Sequence, residues 1–142
     1  EVKGYRLINN FRVKSGKERR EIDVLGLDEP LIICADCKHW KRGLQTAATL
    51  KMIEAQIERT RALAEVLPSY SHEIGLKNWK TATLLPMVIS LLPGQSKLVN
   101  KVPVVPVLQL QDFISEVPLK LDVLHQIGRE IRPHQGEIDK YL

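Results

Sequence analysis

The chain has 142 residues, 44% of them hydrophobic and 27% charged, with 21 Lys and Arg against 17 Asp and Glu. That balance describes one globular domain with a core of its own and excludes disorder as the main state. Two cysteines exclude a disulfide scaffold, and the apolar stretches 84–92 and 102–108, interrupted by Pro86, Pro103 and Pro106, fall short of the roughly 18 residues of a membrane-crossing helix.

The basic excess is uneven. The first 60 residues hold 12 basic and 9 acidic groups. Residues 12–20, "RVKSGKERR", carry Arg12, Lys14, Lys17, Arg19 and Arg20 against Glu18 alone, and residues 38–42, "KHWKR", hold a second cationic cluster. Such density suits a polyanion such as nucleic acid, although solvated loop charge accounts for it as simply. The start, "EVKGYRLINN", has no charged segment followed by an apolar one. No export signal is therefore expected, and the cytoplasm is the expected compartment.

In chain order, residues 5–13 read as a strand, "KSGKERR" as a polar turn, and 21–28 as a second strand. Glu29 and Pro30 mark another turn, and 31–40 a third strand, apolar in its first half. Short turns make these an antiparallel meander. The period then changes. Leu50, Ile53, Ile57, Ala64 and Leu67 recur at helical spacing with Thr60 in the gap, while Glu54, Glu58, Arg59, Arg61 and Glu65 lie off the stripe. This predicts an amphipathic helix over 44–67, stopped by Pro68. A polar loop over 69–80 precedes a buried strand at 81–92, where Pro86 predicts a bulge or an edge position. Residues 93–101 read as a turn, 102–108 as a short strand, 110–117 as a helix, 121–131 as a last helix and 133–142 as a tail. The expected fold is α/β, a mixed sheet flanked by helices.

Asp36 and Lys38 stand two apart on the third strand and share a face. The preceding hairpin brings Asp23 of the second strand back against them, so two carboxylates and one lysine converge at a hairpin end. Charges on a solvated strand end are the plain alternative. Cys34 and Cys37 spell C-x-x-C, but three positions along a strand reverse the face, and no second pair completes a four-ligand zinc site. They read as core fillers, with a zinc or redox module as the weaker alternative. His39 reads as packing or surface, and His72, His125 and His134 are scattered. Trp40 reads as packing beneath the helix, with base stacking as the alternative.

An acid on one strand followed by acid-x-Lys on the next resembles the PD-(D/E)xK nucleases of restriction-endonuclease-like fold. "EIDVLGLDEPLIICADCKHW" carries the pattern, with Asp23, Asp36 and Lys38. "MIEAQIERTRALAEVL" resembles the helix of Mrr-like enzymes and archaeal Holliday-junction resolvases, where Gln56 matches a glutamine, and "VPVVPVLQLQDFI" resembles the closing strand and helix. The resemblance covers roughly residues 4–117. It implies a three-layer nuclease-like core over 1–117, and residues 118–142 read as a C-terminal helix and tail. In the family a helix with another acid commonly precedes the first strand. Only "EVKG" stands there, so a core lacking that helix is expected.

The resemblance implies a Mg²⁺- or Mn²⁺-dependent deoxyribonuclease acting on duplex or branched DNA. Asp23 and Asp36 would hold the metal, Lys38 would assist the attacking water, and Gln56 would position a water or Lys38. Lys14, Lys17, Arg19, Arg20, Lys41 and Arg42 would contact flanking phosphates. A homodimer is expected of an enzyme that cuts two strands; no small-molecule cofactor and no membrane partner are expected. The alternative is a catalytically incomplete nuclease-like domain that only binds nucleic acid. Asp23 facing away, or Lys38 held by Glu21, would favour that alternative.

Overall fold

A computed structural model describes residues 4–39 and 46–131, with Thr46 described in its backbone alone. The first three strands are β1 (Arg6–Ser15), β2 (Glu18–Asp28) and β3 (Leu31–Lys38). Gly16, at φ +63°, allows a two-residue connection between the paired Ser15 and Glu18. The polar run read as a turn is therefore mostly strand. Both β1–β2 and β2–β3 are antiparallel, as expected of a meander.

Helix α1 (Thr46–Ile74) follows and returns the chain to β4 (Thr81–Ser90), which lies parallel to β3. Pro68 does not stop α1; it lies inside the helix. The stop is Gly75 at φ +85°. There the Gly75 and Leu76 N–H groups both donate to the Ser71 carbonyl, at 3.0 and 2.7 Å. A left-handed residue after the last turn satisfies such carbonyls, and glycine adopts it freely.

Beyond β4 come β5 (Lys97–Val99), β6 (Val102–Pro106), a 3₁₀ turn (Val107–Gln109), α2 (Leu110–Lys120), a second 3₁₀ turn (Leu121–Val123) and β7 (Ile127–Glu130). The sheet order is β1-β2-β3-β4-β6-β5, and β7 also pairs with β4. Two predictions fail here. The segment 93–101 contains β5, closed onto β6 by Asn100 and Lys101, both at positive φ. The expected last helix over 121–131 is a 3₁₀ turn and an antiparallel edge strand. Its apolar residues serve opposite faces: Leu121 and Leu124 pack with α2, while Ile127 and Ile131 pack with α1.

Pro86 sits in an interior strand without a bulge, paired with Cys34. Thr83 and Leu91 donate their N–H groups toward β3. Alternation then turns the nitrogen of Pro86 to the other edge of β4. There β7 covers residues 81–84 and β6 covers 88–90, leaving a gap at Pro86. The missing donor faces no strand.

Strand alternation sorts the core into two layers. Ile32, Cys34 and Leu84 join Leu63 and Leu67 of α1 on one face. Leu31, Ile33, Ala35, Leu85 and Met87 join Phe113, Ile114 and Val117 of α2 on the other. The protein is thus an α/β fold, a mixed sheet flanked by helices. Among the described residues no helix is long and apolar enough to cross a membrane.

Candidate functional site

The site grows from the end of the β2–β3 ladder. The last pair is Val24 opposite Ala35. One step further, the same register sets Asp23 opposite Asp36. The strands part there, and the Cys37 N–H donates to Asp23 Oδ2 at 2.9 Å in place of a ladder bond. Asp36 and Lys38 continue the face of Ile32 and Cys34, so both look toward α1.

The other side of β2 also breaks at this point. Asn9 pairs with Val24 and Phe11 with Ile22, but Asn10 and Asp23 are skipped, and Asn10 stands at φ +54°. The buried positions change parity across the break: Ile8 but Phe11 and Val13 on β1, Leu25 and Leu27 but Ile22 on β2. The outer hairpin arm therefore turns over α1. It is fastened there by Lys14 N–H to Tyr70 Oη at 2.9 Å and Arg20 Nη1 to the Glu58 carbonyl at 3.3 Å.

Asp36 is buried at 7% exposure. Lys38 Nζ lies 3.1 Å and Arg59 Nη1 3.8 Å from its Oδ2. Arg59 stands too far away for a hydrogen bond and Lys38 approaches off the hydrogen-bonding direction, so this buried oxygen accepts no aligned hydrogen bond among the described residues. Burial and then the neighbouring Asp23 carboxyl push the Asp36 carboxyl above its ordinary value, against the pull of Lys38. For Asp23, burial is outweighed by the hydrogen bond with Asp36, the Cys37 N–H, Lys38 and Arg59, and its carboxyl falls below the ordinary value. Two carboxyls facing each other separate in this way because both do not ionise freely at close range.

Gln56 is fully buried. Its Nε2 donates to the Cys34 carbonyl at 2.8 Å, and its Oε1 accepts from Arg59 Nη1 at 3.0 Å. Among the described residues its side-chain partners are thus Cys34 and Arg59, and Lys38 is not one of them. Arg59, which the sequence pattern assigns to the solvated helix face, lines an open cleft of about 560 Å³ with Arg19, Arg20, Glu21, Asp23, Asp36, Ala55 and Glu58.

The predicted phosphate contacts divide. Lys14, Lys17 and Arg19 are exposed on the hairpin arm. Arg20 is half-buried and held by Glu18 and the Glu58 carbonyl, so it fastens the arm to α1. Lys41 and Arg42, with Trp40 and His134, lie outside the described residues. Glu21 pairs with Arg12 at 3.7 Å, which leaves Lys38 to Asp36. Cys34 is a core residue whose thiol burial pushes up to about 12. Cys37 is exposed on the opposite face, so its reading as a core filler fails. The two thiols are not set to share a metal.

Hard carboxylate oxygens, one of them buried without an aligned donor, fit a divalent cation of the Mg²⁺ or Mn²⁺ type. Such ions commonly take one or two protein carboxylates and complete their shell with water and substrate phosphate. Among the described residues no cluster of three or more His, Cys, Asp or Glu groups is arranged to hold a metal. No family model, curated protein or solved structure matches the chain.

Proposed function

We propose that this chain is a restriction-endonuclease-like domain that hydrolyses DNA phosphodiester bonds with a divalent cation. The observation that carries this reading is the meeting of Asp23 and Asp36 across the open end of the β2–β3 ladder, with Lys38 on the same face. Like charges set opposite each other weaken a sheet. A fold that keeps two of them beside a cation cleft invites a function that needs both.

Asp23 and Asp36 would hold Mg²⁺ or Mn²⁺, which supplies Lewis-acid polarisation of the phosphoryl group and eases ionisation of water. Lys38, tied to Asp36, presents its ammonium where charge builds on the phosphoryl oxygens. Lys14, Lys17 and Arg19 on the hairpin arm offer sequence-tolerant, salt-sensitive contacts to flanking phosphates.

The second reading is a nuclease-like domain that binds nucleic acid without cutting it. One observation favours it: among the described residues no third His, Cys, Asp or Glu joins the two carboxylates in a group arranged to hold a metal. By ligand count alone this reading is the better supported. The pairing of Asp36 with Lys38 rather than a diversion of Lys38 to Glu21 favours the catalytic one.

The test is incubation of the protein with supercoiled plasmid, linear duplex and a four-way junction in Mg²⁺, Mn²⁺ or EDTA. Cutting that needs metal and falls at least about 100-fold in Asp36→Ala and Lys38→Ala, the scale of losing a transition-state contact, is the expected result. Cutting that survives Asp36→Ala contradicts the assignment. Binding without cutting leaves the second reading.

A further inference from the structure

We propose that Arg59 is a phosphate-binding residue of this cleft and that Gln56 is its positioning residue. The inference rests on the reading of the cleft as a nucleic-acid site and extends it to two residues on α1.

Gln56 is buried completely. A fully buried glutamine has to satisfy an amide with two donors and an acceptor. Its Nε2 is anchored on the carbonyl of Cys34 in the middle of β3, and its Oε1 receives Arg59 Nη1. Buried and engaged at both ends, it links β3 to Arg59. It does fix one nitrogen of the Arg59 guanidinium. The Gln56 side chain thereby ties the direction of Arg59 to the same strand that carries Asp36.

Arg59 itself is over-supplied with donors. A guanidinium carries five N–H groups in a rigid fork. Among the described residues its one hydrogen bond runs through Nη1 to Gln56. Its approach to Asp36 Oδ2, at 3.8 Å, is an ion pair too long for a hydrogen bond. The side chain keeps 29% exposure and lines the cleft beside Asp23 and Asp36. A buried bracket holding a partly exposed fork, with spare donors, next to paired carboxylates is an arrangement for a tetrahedral oxyanion, which such a fork can grip through two oxygens. A guanidinium serving only as counter-ion to Asp36 would be expected to close on it at hydrogen-bond distance.

The chemical class of the ligand follows. It is a phosphodiester group of a polynucleotide, reached from the same cleft mouth as Arg19. Arg59 would engage a phosphate at or next to the one facing Asp36, and its contact contributes to binding whether or not the bond is cut.

The test reads binding, not cleavage. Anisotropy of a labelled short DNA duplex is titrated in EDTA over a series of salt concentrations, for wild type, Arg59→Ala, Arg59→Lys, Gln56→Met and the double variant Gln56→Met/Arg59→Ala. Circular dichroism verifies that each is folded. Arg59→Ala is expected to bind roughly tenfold more weakly or worse, the scale of a charge-assisted hydrogen bond, and to lower the slope of log K against log salt by about 0.9, one phosphate contact. Arg59→Lys, which keeps the charge and loses the fork, should fall between. Gln56→Met should weaken binding several-fold in the wild-type background and not at all when Arg59 is already Ala, because a positioning residue acts through its partner. An unchanged slope and affinity in folded Arg59→Ala overturn the proposal while the nuclease-like reading stands. Equal losses from Gln56→Met in both backgrounds overturn the positioning role. A wild-type protein that binds no DNA overturns both the reading of the site and this inference.

Discussion

Asp36 illustrates the cost of holding two acids together. Its carboxyl is raised by burial and by Asp23, so the folded state holds that proton more tightly than the unfolded chain does. The contribution of such a group is fully present below its unfolded value and is lost as pH rises through the folded one. Asp23 runs the other way: its carboxyl is lowered, so its contribution is present above the unfolded value and is lost as pH falls through the folded one. Without metal, the charged form of Asp36 is therefore the one that opposes folding. Asp36→Asn should raise the melting temperature in EDTA by about 2–5 °C, the scale of relieving a cross-strand like-charge pair. The gain should vanish in acid, where wild-type Asp36 is protonated. A fall in melting temperature at neutral pH would show that Lys38 and Arg59 more than offset the repulsion. At this scale strand alternation made Asp36 and Lys38 legible in the sequence, and hairpin pairing made Asp23 legible. Arg59 was hidden because a charged residue off the apolar stripe reads as solvated. The signal available was its place three residues after Gln56, one turn along the same helix face. Gln56 was named, but its buried bracket role depends on the Cys34 carbonyl, which no local pattern reveals.

Among the elements, α1 and β4 show where proline misleads. Proline removes a donor in either setting, and its effect depends on what that donor would have met. In β4 the donor would have met the gap between β7 and β6. In α1 the helix passes through Pro68 and ends only at Gly75. Gly75 combines a left-handed φ with an Arg6 guanidinium nitrogen 3.0 Å from where a Cβ would stand. Gly75→Ala should cost about 1–2 kcal/mol in urea unfolding, the price of the left-handed conformation for an L-residue. Pro68→Ala should leave stability unchanged or improve it, since it restores an N–H inside a helix. The reverse ranking would mean that Pro68, not Gly75, fixes the end of α1. The segment after α2 was the least legible. Leu121, Leu124, Ile127 and Ile131 fall at helical spacing, yet their burial on opposite faces is decided by whether the chain crosses the sheet edge. Tertiary pairing with β4 settles that, and local spacing cannot.

Across the whole molecule the two layers have separate duties. The α2 face supplies an apolar core from β3, β4 and α2. The α1 face ends in a polar cleft where β2 and β3 part and the hairpin arm crosses α1. The meander, the crossover helix and the parallel return to β4 were readable as a pattern of periods. The arm's crossing was not, because it depends on the skipped pair of Asn10 and Asp23 and on the change of buried parity across it. The central claim is that the paired acids in this cleft take a divalent cation. It is tested most directly by calorimetric titration of Mn²⁺ into the wild-type chain, Asp23→Asn and Asp36→Asn, without nucleic acid. Saturable binding of a cation by the wild type, lost or weakened at least about tenfold when either carboxylate ligand is removed, is the predicted result. A folded wild-type protein that takes up no Mn²⁺, or one whose binding is unchanged in both variants, would contradict the account.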